Sequence, residues 1–117
     1  MPRKLIHSIS YARAGAAHTL RTQRNIWIHI FIGLFVVSLA LWLKVSPIEM
    51  AVLVLTIAFV ITAEMLNTAI EEVVNLAKPE KHPQAALAKN VAAAAVLVAA
   101  TGAVAVGLII LWPRLIG

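Results

Sequence analysis

An all-α integral membrane protein, built as an N-terminal amphipathic surface helix followed by three transmembrane helices, is the architecture this sequence predicts. Three observations lead there. Of its 117 residues 62% are hydrophobic and only 13% are charged, too few charges for a soluble protein of this size. The apolar residues gather in three stretches, each long enough to cross a hydrocarbon core of about 30 Å. Finally, Glu64, Asn67 and Glu71 sit at intervals of three and four inside the middle stretch, so three polar side chains share one stripe of a helix otherwise suited to lipid. An ionisable group in hydrocarbon costs about 2.5–3.5 kcal/mol on insertion scales, which makes an intramembrane carboxylate a candidate functional residue.

From Lys4 to Arg24, small or apolar residues recur at Leu5, Ile9, Ala12, Ala16 and Leu20, with His7, Arg13, His18, Arg21 and Arg24 largely off that line. This pattern predicts a helix lying on the membrane surface over 4–24, with a soluble arm folded back on the protein as the alternative. The first span, 26–43, is interrupted by His29 and Ser38 and closed by Lys44. His29 has no carboxylate or second histidine at helical spacing and reads as a packed, hydrogen-bonded histidine near the start of its helix. The second helix, 47–77, has Ser46 placed to cap it, Pro47 at its first position and Glu49 three residues after the cap, a sequence suited to a reciprocal capping box. Glu64 then lies about 24 Å along the axis from Ile48, at the far edge of the hydrocarbon, and Glu71 about 10 Å further, at the water boundary.

A short loop bracketed by Pro79 and Pro83 carries Glu80, Lys81 and His82. The third span, 84–112, is expected to end at Pro113. On it Ala95, Ala99, Ala103 and Gly107 repeat every four residues, a face that lets another helix approach closely. His7, His18 and His82 read as solvated, and Trp27, Trp42 and Trp112, near span ends, as interface anchors. With no internal repeat or low-complexity linker, residues 1–117 form a single membrane domain.

The chain contains no cysteine and no aspartate, which excludes disulfides, thiolate catalysis and thiolate-bound metal and leaves five glutamates for any acid–base or metal chemistry. The net charge of +5 comes from basic residues that flank apolar segments, so anionic lipid headgroups rather than nucleic acid are the expected partners. Arg3 and Lys4 are not followed by an apolar core before Tyr11, so a cleaved signal peptide is not expected. Of the ten basic residues, five precede the first span and Lys78, Lys81 and Lys89 fall at the second connection, against Lys44 and Arg114 on the other side. The N-terminus and the second loop are therefore expected on the cytoplasmic side, with the polar stripe opening there.

Taken alone, the stripe fits interhelical hydrogen bonding, an ion or proton path, or catalysis. A pump or channel would spread its ionisable groups through the membrane depth, whereas these cluster at one edge. The segment Ala63-Glu64-Met65-Leu66-Asn67-Thr68-Ala69-Ile70-Glu71, followed by Ala88-Lys89-Asn90 and an alanine-rich helix, resembles the prokaryotic diacylglycerol kinase family over nearly the whole chain, including Tyr11-x-x-x-Gly15 in the first helix. Arg24-Asn25-Ile26-x-Ile28-His29 and Pro79-Glu80-x-His82-Pro83 are more similar to the undecaprenol kinase branch of Gram-positive bacteria.

The resemblance implies a homotrimer in the bacterial inner membrane, with active sites shared between subunits, and phosphorylation of undecaprenol or diacylglycerol by ATP with Mg2+. It implies Glu64 as catalytic base, Asn67 as the residue that orients substrate or phosphate, and Glu71 as metal ligand. Lys89, with Tyr11 and Asn90, would belong to the ATP site. No Walker or glycine-rich phosphate loop is present, so basic side chains and the metal would have to replace it.

Several positions depart from the family pattern in one direction. Gln23 stands where the family has its second metal-binding glutamate, Asn90 and Asn75 where aspartate is usual, and Trp27 where arginine is usual. Loss of charged oxygen ligands weakens binding of a hard cation. Glu72 lies about 100° around the helix from Glu71 and is no direct substitute for Gln23. The alternative to an active lipid kinase is accordingly a weak or inactive homologue that keeps a trimeric membrane scaffold or a lipid-binding role.

Overall fold

The computed structural model describes residues 2–117, with side chains from Lys4 onward, and consists of four helices: α1 (Pro2–Thr22), α2 (Arg24–Trp42), α3 (Pro47–Ala77) and α4 (Pro83–Ile116). The last three are long and apolar enough to cross a membrane. No strand occurs among the described residues. α3 packs most extensively on α4 and less on α2, while α1 touches α2 and α3 least. Much of the apolar surface faces outward, Phe31, Phe35, Leu55, Leu97 and Val98 among it, as expected of helices whose solvent is lipid.

Each connection is built from local chemistry. α2 ends in a Schellman motif, in which the Val45 amide donates to Ala40 O and the Lys44 amide to Leu41 O, both at 3.2 Å. That motif places Lys44 at φ 57°, a left-handed conformation usually left to glycine. Ser46 and Glu49 then form the expected capping box: Glu49 N donates to Ser46 Oγ at 3.1 Å and Ser46 N to Glu49 Oε1 at 2.9 Å. The Glu49 carboxylate also receives Arg114 from the last turn of α4, with Arg114 Nε 3.4 Å from Oε2. Beneath this clamp Ala40, Leu53 and Leu111 form a small buried cluster flanked by Val45, Met50 and Ile110.

Three expectations need correction. α4 does not stop at Pro113 but runs on to Ile116, because a proline removes only one helix hydrogen bond and the Arg114–Glu49 pair holds the following turn. The break between the first two helices falls at Gln23 (φ −111°, ψ 111°), so Arg24 and Asn25 open α2. There the Trp27 indole donates to Leu20 O at 2.7 Å, satisfying a carbonyl orphaned by the end of α1, a closer role than interface anchor. Finally, the small-residue face of α4 is divided. Ala99 is buried and Ala95 exposed, while Ala103 and Gly107 leave open space.

One helix approaches another closely at a glycine of α2. A Cβ on buried Gly33 would lie 2.8 Å from Ile57 Cγ2 of α3. Gly33→Ala should therefore destabilise the bundle by about 1–3 kcal/mol through overpacking, read as a lowered midpoint of reversible unfolding in SDS. Lys44→Gly, which relieves the left-handed strain, should raise the same midpoint, with a gain of about 0.5–1 kcal/mol.

Candidate functional site

The polar stripe of α3 is ordered by its own helix geometry. Glu64, Asn67, Thr68 and Glu71 occupy successive turns of one face; Glu64 and Thr68 are buried, each 4% exposed, and Asn67 and Glu71 are half-buried. Thr68 Oγ1 donates back to Glu64 O at 3.0 Å, which satisfies the buried hydroxyl locally. Asn67 Nδ2 donates to Glu71 Oε1 at 3.3 Å. Its carbonyl oxygen, Oδ1, is left buried with no partner, the one such side-chain atom among the described residues. An acceptor in that state is costly to leave unmet and is suited to receive a hydroxyl or a cation.

Glu64 finds its partner on another helix. His29 Nε2 of α2 lies 3.1 Å from Glu64 Oε1, with the two side chains only 21% and 5% exposed. His29 is packed and hydrogen-bonded as the sequence suggests, but its partner is 35 residues away in the chain, beyond the reach of helical spacing. On its other side His29 lines an apolar groove of roughly 360 Å³ between α2, α3 and α4, running past Gly33, Val60, Ala103 and Gly107 to Trp112. The groove exists because small residues stand where α4 faces the other helices. A second cross-helix contact joins His18 Nε2 of α1 to Glu72 Oε1 at 3.2 Å, and His82 Nδ1 accepts from Gln84 N at the start of α4, so neither histidine is simply solvated.

The remaining expected site residues stand apart within one chain. Lys89, half-buried, lines an open pocket with Asn75, Lys78, Lys81 and His82, next to exposed Asn90. Tyr11 is 74% exposed, with its ring tilted against that of His7 at a centroid separation of 6.4 Å. Gln23 sits half-buried at the bend, with no side-chain cap bond. Among the described residues no hydrogen bond or ion pair joins Tyr11, Gln23, Lys89 or Asn90 to Glu71. Nor do three acidic or histidine side chains gather there as a metal site.

The stripe, Lys89 and most of the alanine-rich last helix lie within a stretch that matches a known family. Residues 10–111 match the family described as prokaryotic diacylglycerol kinase. This chain belongs to it. It is 45% identical over 113 residues to a diacylglycerol kinase of Synechocystis sp., a match covering 96% of this chain and 65% of that protein. It is 36% identical over 112 residues to the undecaprenol kinase of Bacillus subtilis, covering 96% of this chain and 91% of that one. With the diacylglycerol kinase of Escherichia coli K12 the identity is 39% over 79 residues, 68% of this chain and 65% of that protein. This member of the prokaryotic diacylglycerol kinase family thus spans about two thirds of the length of the Synechocystis relative.

A double-mutant cycle on His29→Ala and Glu64→Ala, followed by SDS unfolding, should return a coupling of about 1–2 kcal/mol. That is at the upper end for hydrogen bonds between membrane helices, because one partner is a carboxylate.

Proposed function

We propose that this chain transfers the γ-phosphoryl group of ATP to the hydroxyl of a membrane lipid alcohol at the cytoplasmic face of the bacterial inner membrane. The observation that carries this function is the placement of Glu64: a buried carboxylate whose partner His29 lines the end of an apolar groove, one turn of helix from the half-buried Asn67–Glu71 couple. A greasy alcohol and a water-soluble cosubstrate can meet only at such a boundary. The names of the relatives support undecaprenol or diacylglycerol as the alcohol.

Phosphoryl transfer asks the protein mainly for positioning and charge stabilisation. The lipid hydroxyl oxygen forms a bond to the γ-phosphorus while the bond from that phosphorus to the β,γ-bridging oxygen breaks, releasing ADP. Glu64 takes the hydroxyl proton. Asn67, with its unpartnered Oδ1, holds the hydroxyl or a phosphate-bound ligand in place. Glu71 and Asn67 are hard oxygen donors of the kind Mg2+ accepts, and Mg2+ needs few of them because it keeps water and phosphate oxygens as ligands. Bound there with ATP, that ion supplies charge neutralisation on the phosphates. Gln23 adds a neutral oxygen at the bend, and Lys89, with Tyr11 and Asn90 nearby in the family pattern, completes the nucleotide site.

Among the described residues of one chain no basic side chain pairs with Glu71, and the groove and outer helix faces stay open. Both facts favour a homotrimer in which a neighbouring subunit brings its Lys89 to the Asn67–Glu71 couple. The excess of lysine and arginine at the N-terminus and second loop favours a cytoplasmic N-terminus.

Purified protein in lipid, given Mg2+, γ-labelled ATP and either undecaprenol or diacylglycerol, should label the lipid. Glu64→Gln should lower kcat by about 10²–10⁴-fold with little change in KM for MgATP, the loss expected of a general base. Glu71→Gln should instead raise KM for MgATP. Restoring charge with Gln23→Glu and Asn90→Asp should lower that KM several-fold. No label on either lipid, even in the restored variant, would favour the scaffold alternative.

A further inference from the structure

One side chain at the site has no part in the chemistry above. His29 lies on α2 rather than on the polar stripe, and Glu64 is the polar group it meets. A neutral imidazole has one donor and one acceptor, whereas an ionised carboxylate can only accept. When Glu64 is ionised, as a base must be before it acts, the proton in this 3.1 Å contact therefore belongs to Nε2, and the neutral ring carries none on Nδ1. Among the described residues nothing donates to Glu64 Oε2. The bond ties down one carboxylate oxygen and leaves the other for substrate.

A glutamate has three side-chain torsions, and in a site this dry no water shell holds its head in one direction. Thr68 does not help, because its hydroxyl donates to the Glu64 backbone carbonyl and not to the carboxylate. Orientation must come from α2. The groove adds direction, since His29 lines its end, so a chain lying among Gly33, Val60 and Gly107 would bring its hydroxyl up beside the His29–Glu64 pair.

Resting on the lipid-kinase function proposed above, we infer that His29 is the positioning residue for the catalytic base: it donates Nε2–H to Glu64 Oε1 and reserves Oε2 for the hydroxyl proton. His29 does not exchange a proton with substrate. It acts through Glu64.

The test uses the full chain in mixed micelles. Misplacing a catalytic group by about 1 Å costs about 100-fold, so His29→Ala should lower kcat by about that factor while KM for MgATP shifts less than about twofold. His29→Gln, which carries an amide N–H donor on a side chain of similar reach, should recover about tenfold of the loss; His29→Asn, one methylene shorter, should recover less. Spectra of ¹⁵N-histidine protein at neutral pH should show His29 as the Nε2–H tautomer, a preference lost in Glu64→Ala.

The inference is overturned by an unchanged kcat in His29→Ala, by equal activity of the alanine and glutamine variants, or by an Nδ1–H tautomer in the wild type. If His29→Ala does not accumulate, the glutamine–asparagine comparison and the tautomer decide. A wild-type chain that phosphorylates neither lipid sinks the kinase function and this role together. An active wild type with an equally active His29→Ala sinks this role alone.

Discussion

A carboxylate inside an apolar helix must be met by a donor, and the bundle is arranged around that requirement. Water cannot satisfy Glu64, which is buried to 4% exposure, and its own helix supplies no donor to the carboxylate. The donor comes from α2, at a point five residues into that helix, or about 8 Å along its axis. Satisfying Glu64 therefore fixes the relative height of α2 and α3. Close contact of Gly33 with Ile57, one helical turn further on, allows the two helices to come near enough for a 3.1 Å contact. The same glycine borders the groove, so the packing that brings His29 to Glu64 also helps shape the cavity beside them.

The opposite end of the bundle is held by different means. There the Glu49 carboxylate closes the capping box of α3 and receives Arg114 from the end of α4, over the small cluster of Ala40, Leu53 and Leu111. That ion pair is partly exposed, so its net contribution to stability is modest, but it ties the start of α3 to the end of α4 at the far mouth of the groove. Between this pair and the His29–Glu64 contact the groove is lined almost wholly by apolar side chains.

How much of this could be read from the residues divides along physical lines. Local chemistry was legible: Ser46, Pro47 and Glu49 specify a helix start through contacts three residues apart, and the structure contains that capping box. Hydropathy over a window of twenty residues was legible as three membrane-length helices. The stripe of Glu64, Asn67 and Glu71 needs only the period of a helix. What escaped were pairings between helices. His29 with Glu64, His18 with Glu72 and Arg114 with Glu49 join residues 35, 54 and 65 positions apart, and no periodicity connects them. Pro113 and Gln23 misled for a related reason. A proline in the last turns of a helix removes one hydrogen bond, which a tertiary contact can offset. A bend between two helices is placed by whichever side chain caps it, here Trp27 on Leu20 O.

Trp27 and the two amides, Gln23 and Asn90, share a consequence for a site that handles phosphates. Replacing an acid by an amide of the same shape removes a ligand for a hard cation, and it also removes a negative charge that would repel a polyanion. For a cosubstrate that arrives as its magnesium complex the first effect outweighs the second, because a ligand contact acts at bond distance while repulsion near water is screened over about 8–10 Å. Weaker metal binding leaves more of the phosphate charge to lysines, and the chain has three of them, Lys78, Lys81 and Lys89, around one open pocket. Trp27 contributes no charge, but its indole N–H donates to Leu20 O and so ties α2 to the end of α1 at the bend that carries Gln23. Under the proposed lipid-kinase function, amides at Gln23 and Asn90 leave more of the phosphate charge to the lysines of that pocket than acids there would.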